Sequence, residues 1–410
     1  MRTRNLRYAL CSCATTALLA ACGGSQPPIG APGTLPSSTT YAQKSRAQSA
    51  SCPGSRVHYV YVSNDASGNV SAFAINACTG TLTQVKGSPF AAGPEPWGIA
   101  VDPTGKFAYV TNVTDGSELA RATNFTSSSS SGSVSAYAIN ARNGALTQVA
   151  GSPFTSDGIE PWEMTIGPAG KFAYVTNFYS NNVCVYSIDA KSGALTQAQG
   201  SPFGTGANPA GVTVDPTARF VYVADGFGQS VSGYALNGSG GLTPLAGSPF
   251  AAGSYPWGVA VDPSDKFAYV TNFDSGNVSA YTINARSGVL TQVQGSPFAA
   301  GSGSFGVAID PVDPFLYVVN ERSDTVSAYQ INPASGVLTQ VQGSPFAAGA
   351  DPYGVAIDPS GKFAYVANAY WGSAFGSIFA YRINARSGVL TQVQGSPFAA
   401  GGGPVQLAIR

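Results

Sequence analysis

Residues 257–298 read WGVAVDPSDKFAYVTNFDSGNVSAYTINARSGVLTQVQGSPF, and the reading of this stretch decides the fold. Gly258 to Pro263 is an apolar run ending at an Asp-Pro turn. Lys266 to Asn272 is β-branched and aromatic. Asn277 to Asn284 alternates apolar and polar residues, and Gly288 to Val293 is short and amphipathic. These are strand patterns, and the Asp-Pro, Ser-Gly and Gly-Ser-Pro steps between them are turn chemistry. The unit recurs. Gly-Ser-Pro-Phe starts at Gly87, Gly151, Gly200, Gly247, Gly295, Gly343 and Gly395. Four antiparallel strands repeated about every 40–50 residues describe a β-propeller.

The strands of a unit are labelled A (inner) to D (outer). Strand A falls near Trp97, Trp162, Ala210, Trp257, Phe305, Tyr353 and Val405. The first unit lacks A, and the last, Pro404 to Arg410, contains only A. The expected fold is therefore all-β: seven four-stranded antiparallel blades, closed by the C-terminal inner strand joining three N-terminal strands. Closure removes free sheet edges, which invite aggregation.

Composition narrows the function. The chain has 20 basic and 20 acidic residues, so its formal net charge is zero, which argues against a general nucleic-acid binder. The single histidine, His58, leaves no two-His metal site and no His relay. With no P-loop and no Cys/His cluster, the sequence asks for no cofactor and no metal.

Arg2, Arg4 and Arg7 precede an uncharged stretch at 8–21, the pattern of an export signal too short to span a bilayer comfortably. Leu19-Ala20-Ala21-Cys22 resembles the lipobox of bacterial lipoproteins. That resemblance implies a signal at 1–21 and lipidation of Cys22. Gly23, rather than Asp, then points to the outer membrane of the cell envelope. An ordinary secretory signal is the alternative. Residues 22–55 are rich in Ser, Pro and Gly and read as a flexible tether, leaving 56–410 as the propeller, expected to be monomeric. Pairing strands B and C around a 63–69 turn brings Cys52 within reach of Cys78, so a Cys52–Cys78 disulfide is expected. Cys184, on strand C, stays reduced.

Tyr-Val-Thr-Asn runs at 109–112, 174–177 and 269–272, with the Gly-Val-Ala-Val-Asp-Pro strand at 258–263, resemble the YVTN-repeat propellers of the lactonase superfamily. The resemblance covers 56–410. It implies the 6-phosphogluconolactonase-like fold and hydrolysis of a sugar lactone. Lactonase members of that family carry a Pro-His-x-His run at the start of an inner strand. Here those positions read Pro96-Trp97-Gly98, Pro161-Trp162-Glu163, Pro256-Trp257-Gly258 and Pro352-Tyr353-Gly354, without histidine.

By analogy with other propellers, the D→A and B→C connections form the ligand face, the top. Trp97, Trp162, Trp257, Phe305 and Tyr353 start inner strands there, and Trp371 lies in the last B→C loop. With Glu95 they are the expected binding residues, for a neutral glycan or a protein partner; the alternative for the aromatics is that they pack between blades. The top holds twelve acids, Glu95 and Glu160 among them, against three bases. The bottom holds eleven bases against eight acids, five of which are Asp-Pro turn formers. Two longer B→C loops, at 113–132 and 369–376, also lie on top. Glu163 replaces the Gly of most blades. A Glu160–Glu163 pair would raise one carboxyl pKa by mutual repulsion, which makes these two the catalytic candidates. The leading expectation is an extracytoplasmic, lipid-anchored binding module. A lactonase-like carbohydrate hydrolase with a carboxylate-only site is the alternative.

Overall fold

A computed structural model describes residues 57–114, 131–370 and 375–410. These residues form seven antiparallel sheets, each ordered A-B-C-D. The first sheet joins His58–Asn64, Asn69–Ile75 and Leu82–Gln84 to the C-terminal Pro404–Ile409. Val60 lies opposite Ile409 and Val62 opposite Leu407, which is the closure expected from the two partial units. Each inner strand touches the next around the ring, and Pro404–Ile409 touches both Pro352–Ile357 and Pro96–Val101. In the first hairpin Asn64 lies opposite Asn69, one residue off the register read from the sequence.

Each residue of the Tyr-Val-Thr-Asn strand has its own task. Tyr269 is fully buried, and its hydroxyl donates to the Gly336 carbonyl in a turn of the next blade. Val270 fills the space between two sheets. In the second blade, Thr111 accepts from Gly98 N–H at 2.8 Å and donates to the Trp162 carbonyl at 2.6 Å, so neighbouring inner strands are tied. Asn272 donates to Asn277 and Ser279 on strand C and accepts from Gly253 N–H, which fixes the loop toward strand A.

Strand D is broken by Gly-Ser-Pro-Phe, and both of its pieces pair with strand C. In the fifth blade, Ile283 lies opposite Leu290 and Val278 opposite Phe298. Between them Gly295 takes a φ of 86°, where a side chain is disfavoured. Ser296 Oγ accepts from Ala280 N–H at 2.9 Å, replacing the missing ladder carbonyl. The same serine contact recurs in all seven blades. A short, interrupted outer strand is also a poor template for pairing with another chain.

At the bottom, the Asp-Pro aspartates act as turn formers. Asp262 Oδ1 accepts from the N–H groups of Lys266 and Phe267 at 2.8 and 2.6 Å. His58 lies at this end, its Nδ1 2.7 Å from the Arg410 carbonyl on the closing strand. Among the described residues no helix is long and apolar enough to cross a membrane.

Candidate functional site

The inner strands begin at the top, each after a residue in the left-handed region. Five of the seven are not glycine: Glu95, Glu160, Asn208, Tyr255 and Asp351, with φ between 48° and 55°. The carbonyl of each accepts from an N–H just past strand B, as that of Glu160 does from Phe178 at 2.9 Å and that of Tyr255 from Phe273 at 2.9 Å. Glu and Tyr adopt this conformation at a cost, and such strain gathers at functional sites.

Trp97, Trp162, Trp257, Phe305 and Tyr353 follow, and all five are buried. They pack neither between blades nor as open platforms. They converge on the channel and stack on one another. Trp97 meets Trp162 at 4.5 Å, Trp162 meets Trp257 at 5.7 Å, and Trp257 meets Phe305 at 4.3 Å. Phe305 meets Tyr353 at 4.5 Å, and Tyr353 closes the circle on Trp97 at 5.8 Å. The circle bridges the two blades with small residues, Ala210 and Val405. The result is an aromatic plug, whose faces are used up in mutual contact. Trp97 Nε1 is buried without a hydrogen-bond partner. Trp371, Cys22 and Cys52 lie outside the described residues, as do 115–130 and 371–374 of the two long loops. Cys78 is disulfide-bonded, its partner also outside the described residues. Cys184 is free and buried.

The mouth above the plug has two unlike halves. Phe178 and Tyr179 of the third blade, Phe227 of the fourth, and Tyr255 and Phe273 of the fifth form an aromatic crescent. Phe178 lies 5.2 Å from Tyr179 and 6.5 Å from Phe227, and Phe227 lies 5.1 Å from Tyr255. Phe227 is exposed. The remaining arc, from the sixth blade round to the third, carries Glu321, Asp351, Asp65, Glu95 and Glu160. Glu321, Asp65 and Glu160 are buried. Among the described residues the exposed cation beside the mouth is Arg322. It stacks on Phe273 at 4.3 Å and pairs with Asp274 at 3.0 Å.

Glu163 does not join this arc. It sits one residue further along its inner strand and meets Gln406 of the closing strand, whose Nε2 donates to it at 3.3 Å. Glu163 is half-buried by area, and the surrounding protein desolvates its carboxyl. Desolvation pushes that carboxyl up to about 8, and the Gln406 bond opposes the shift. Repulsion from Glu160, the cause expected from the sequence, is not what raises it.

The sequence reading missed the crescent and Gln406. The signal was present as departures from the repeat. Phe178 and Phe273 occupy the position after the strand-B Asn, which elsewhere holds Asp65, Val113, Gly226, Glu321 or Ala369. Gln406, like Glu163, stands where five blades have Gly.

Fold and mouth together define a closed seven-bladed propeller with an aromatic and acidic mouth. The model of the family described as "Lactonase, 7-bladed beta-propeller" matches residues 56–206, 199–305 and 296–409, and the chain belongs to that family. Similar solved structures include a 6-phosphogluconolactonase candidate from Bacteroides uniformis, with 19% identity and a TM-score of 0.73, covering 87% of this chain and 100% of that one. Another, from Bacteroides fragilis, has 22% identity and a TM-score of 0.72, covering 86% and 98%. The periplasmic gluconolactonase of Pseudomonas aeruginosa has 19% identity and a TM-score of 0.71, covering 86% and 99%. At these identities the likeness is one of fold. No curated protein matches the chain.

Proposed function

We propose that the top mouth binds a neutral sugar-derived lactone and hydrolyses it, with a mouth carboxylate as general base. One observation carries the reading: an aromatic crescent faces an arc of carboxylates across a single mouth. The exposed Phe227 ring offers a face for the CH face of a sugar ring, and carboxylates accept its hydroxyl hydrogens. Membership of the lactonase family supports the reaction class. Acidic surroundings, with Arg322 already engaged by Asp274, favour a neutral ligand over a phosphorylated one.

Glu160 is the base we assign, because it is buried, held at a φ of 55° and next to the aromatic plug. It takes a proton from water as the water oxygen bonds to the lactone carbonyl carbon. The ring ester C–O bond then breaks, and the ring oxygen leaves as a hydroxyl, taking the proton that Glu160 received from the water and restoring the carboxylate. The product is the open-chain acid. The buried Trp97 N–H is a donor suited to the developing oxyanion. Lipidation at Cys22, a Cys52–Cys78 bridge and an envelope location remain proposals from the sequence.

The test is a pH-stat assay on neutral and phosphorylated aldonolactones. Turnover of the neutral lactone is expected, with Glu160→Gln lowering kcat about 10²–10⁴-fold. No turnover above background overturns the reaction. The absence of histidine from the mouth favours a second reading, a sugar-binding module without chemistry. Binding of neutral sugars by an inactive protein, lost in Phe227→Ala, is its signature.

A further inference from the structure

The bottom face combines two features. Strand B of the first blade starts there at His58, so the 57 residues before it lead to this face. Cys78 lies in a C→D turn at the same end and is disulfide-bonded. Cys184 is free, and every other cysteine of the sequence precedes residue 57.

The second feature is charge. Lys106, Lys171, Arg219, Lys266 and Lys362 form an inner ring on the A→B turns, and all are exposed. Arg142, Lys191, Arg286 and Arg386 form an outer ring on the C→D turns, also exposed. The acids of this face are withdrawn. Asp102, Asp215, Asp262, Asp310 and Asp358 are buried in their turns. Asp265 pairs with Arg219 at 3.1 Å, and Asp313 is half-buried. Among the described residues only Asp189 is an exposed acid here. Near-neutral bookkeeping from the sequence thus conceals a face whose exposed side chains are almost all cationic.

We propose that this bottom face docks on an anionic phospholipid surface and holds the mouth pointing away from it. Bases on both the inner and the outer turns of one face match an extended anionic surface better than a single groove-shaped partner. Basic side chains near such a surface each add attraction that decays within a Debye length. The N-terminal segment leads to the same face, so docking and tethering act together. The inference does not require lipidation at Cys22, and it is independent of the lactone reading.

The test is cosedimentation of the full chain with vesicles of phosphatidylcholine alone or with one quarter phosphatidylglycerol. Binding to the anionic vesicles is expected to be tighter by about tenfold or more, and to fall by a similar factor in 0.5 M NaCl. The Lys106, Lys171, Lys266 and Lys362→Gln quadruple variant is expected to lose that preference while melting like the parent. Equal binding to both vesicles, or an unchanged preference in the folded variant, overturns the proposal. Tighter retention by a double-stranded oligonucleotide than by anionic vesicles at 0.15 M salt also overturns it.

Discussion

Asp225 is a single substitution within a repeated design. Six blades end strand B in Asn; in the second, fifth and sixth its amide donates to strand C and its oxygen accepts an N–H from the D→A loop. The fourth blade ends in Asp225, which cannot donate as an ionised group. The hydroxyls of Ser230 and Ser232 turn to donate to its Oδ2 at 3.1 and 2.7 Å, and Oδ1 is left buried without a partner. Burial pushes the carboxyl up to about 6. A folded pKa above the unfolded value means that this site's stability is complete below about pH 4 and is lost as pH rises through 6. Asp225→Asn is expected to stabilise the protein by about 3 kcal/mol at pH 8, with the gain closing toward pH 4. Urea titrations from pH 4 to 8 measure this, and parallel curves for the two proteins would reject it. Glu163 gives a second prediction with the same sign. Its carboxyl is expected to titrate near 8 by carboxyl-carbon NMR. A midpoint near the ordinary carboxylate range would mean that bulk water reaches the channel freely. Glu163→Gln is expected to flatten the loss of stability between pH 5 and 8.

The strands were legible because their causes are local. Period-two patterns, Asp-Pro turns and the Gly-Ser-Pro-Phe break each act within a few residues, and each recurs in the same form. Gly-Ser-Pro-Phe was readable as punctuation, but the task of its serine was not, because the partner lies on strand C, 16 residues away. Ser296→Ala leaves the Ala280 N–H without an acceptor. The expected loss is about 1–3 kcal/mol, measured by denaturant unfolding. A value near zero would mean that water replaces the hydroxyl. Tyr269→Phe removes a bond between blades and is expected to cost about 1 kcal/mol. Both losses fall in the fifth blade, where Tyr269 lies opposite Ala280, so they are expected not to add, and a double variant measures the coupling.

At the scale of the whole molecule, ring closure creates what no single blade contains. Pro404–Ile409 completes the first sheet and brings Gln406 to Glu163, 243 positions apart. Deleting residues 404–410 opens the first blade and removes a channel wall. The expected outcome is loss of the cooperative unfolding transition, read by calorimetry; an unchanged transition would mean that closure is dispensable. Trp257→Ala is expected to cost about 3–5 kcal/mol, because its ring touches Trp162, Tyr255, Phe273 and Phe305. By itself the sequence determined the blade count, the strand order, the closing strand and the sorting of charged residues between two faces. All of these follow from local period and from the order of units along the chain. Only the tertiary structure decided that the inner aromatics plug the channel, that the mouth divides into crescent and arc, and that Glu163 meets Gln406. Those outcomes depend on distances across a closed ring, where residues far apart in the chain compete for the same central space.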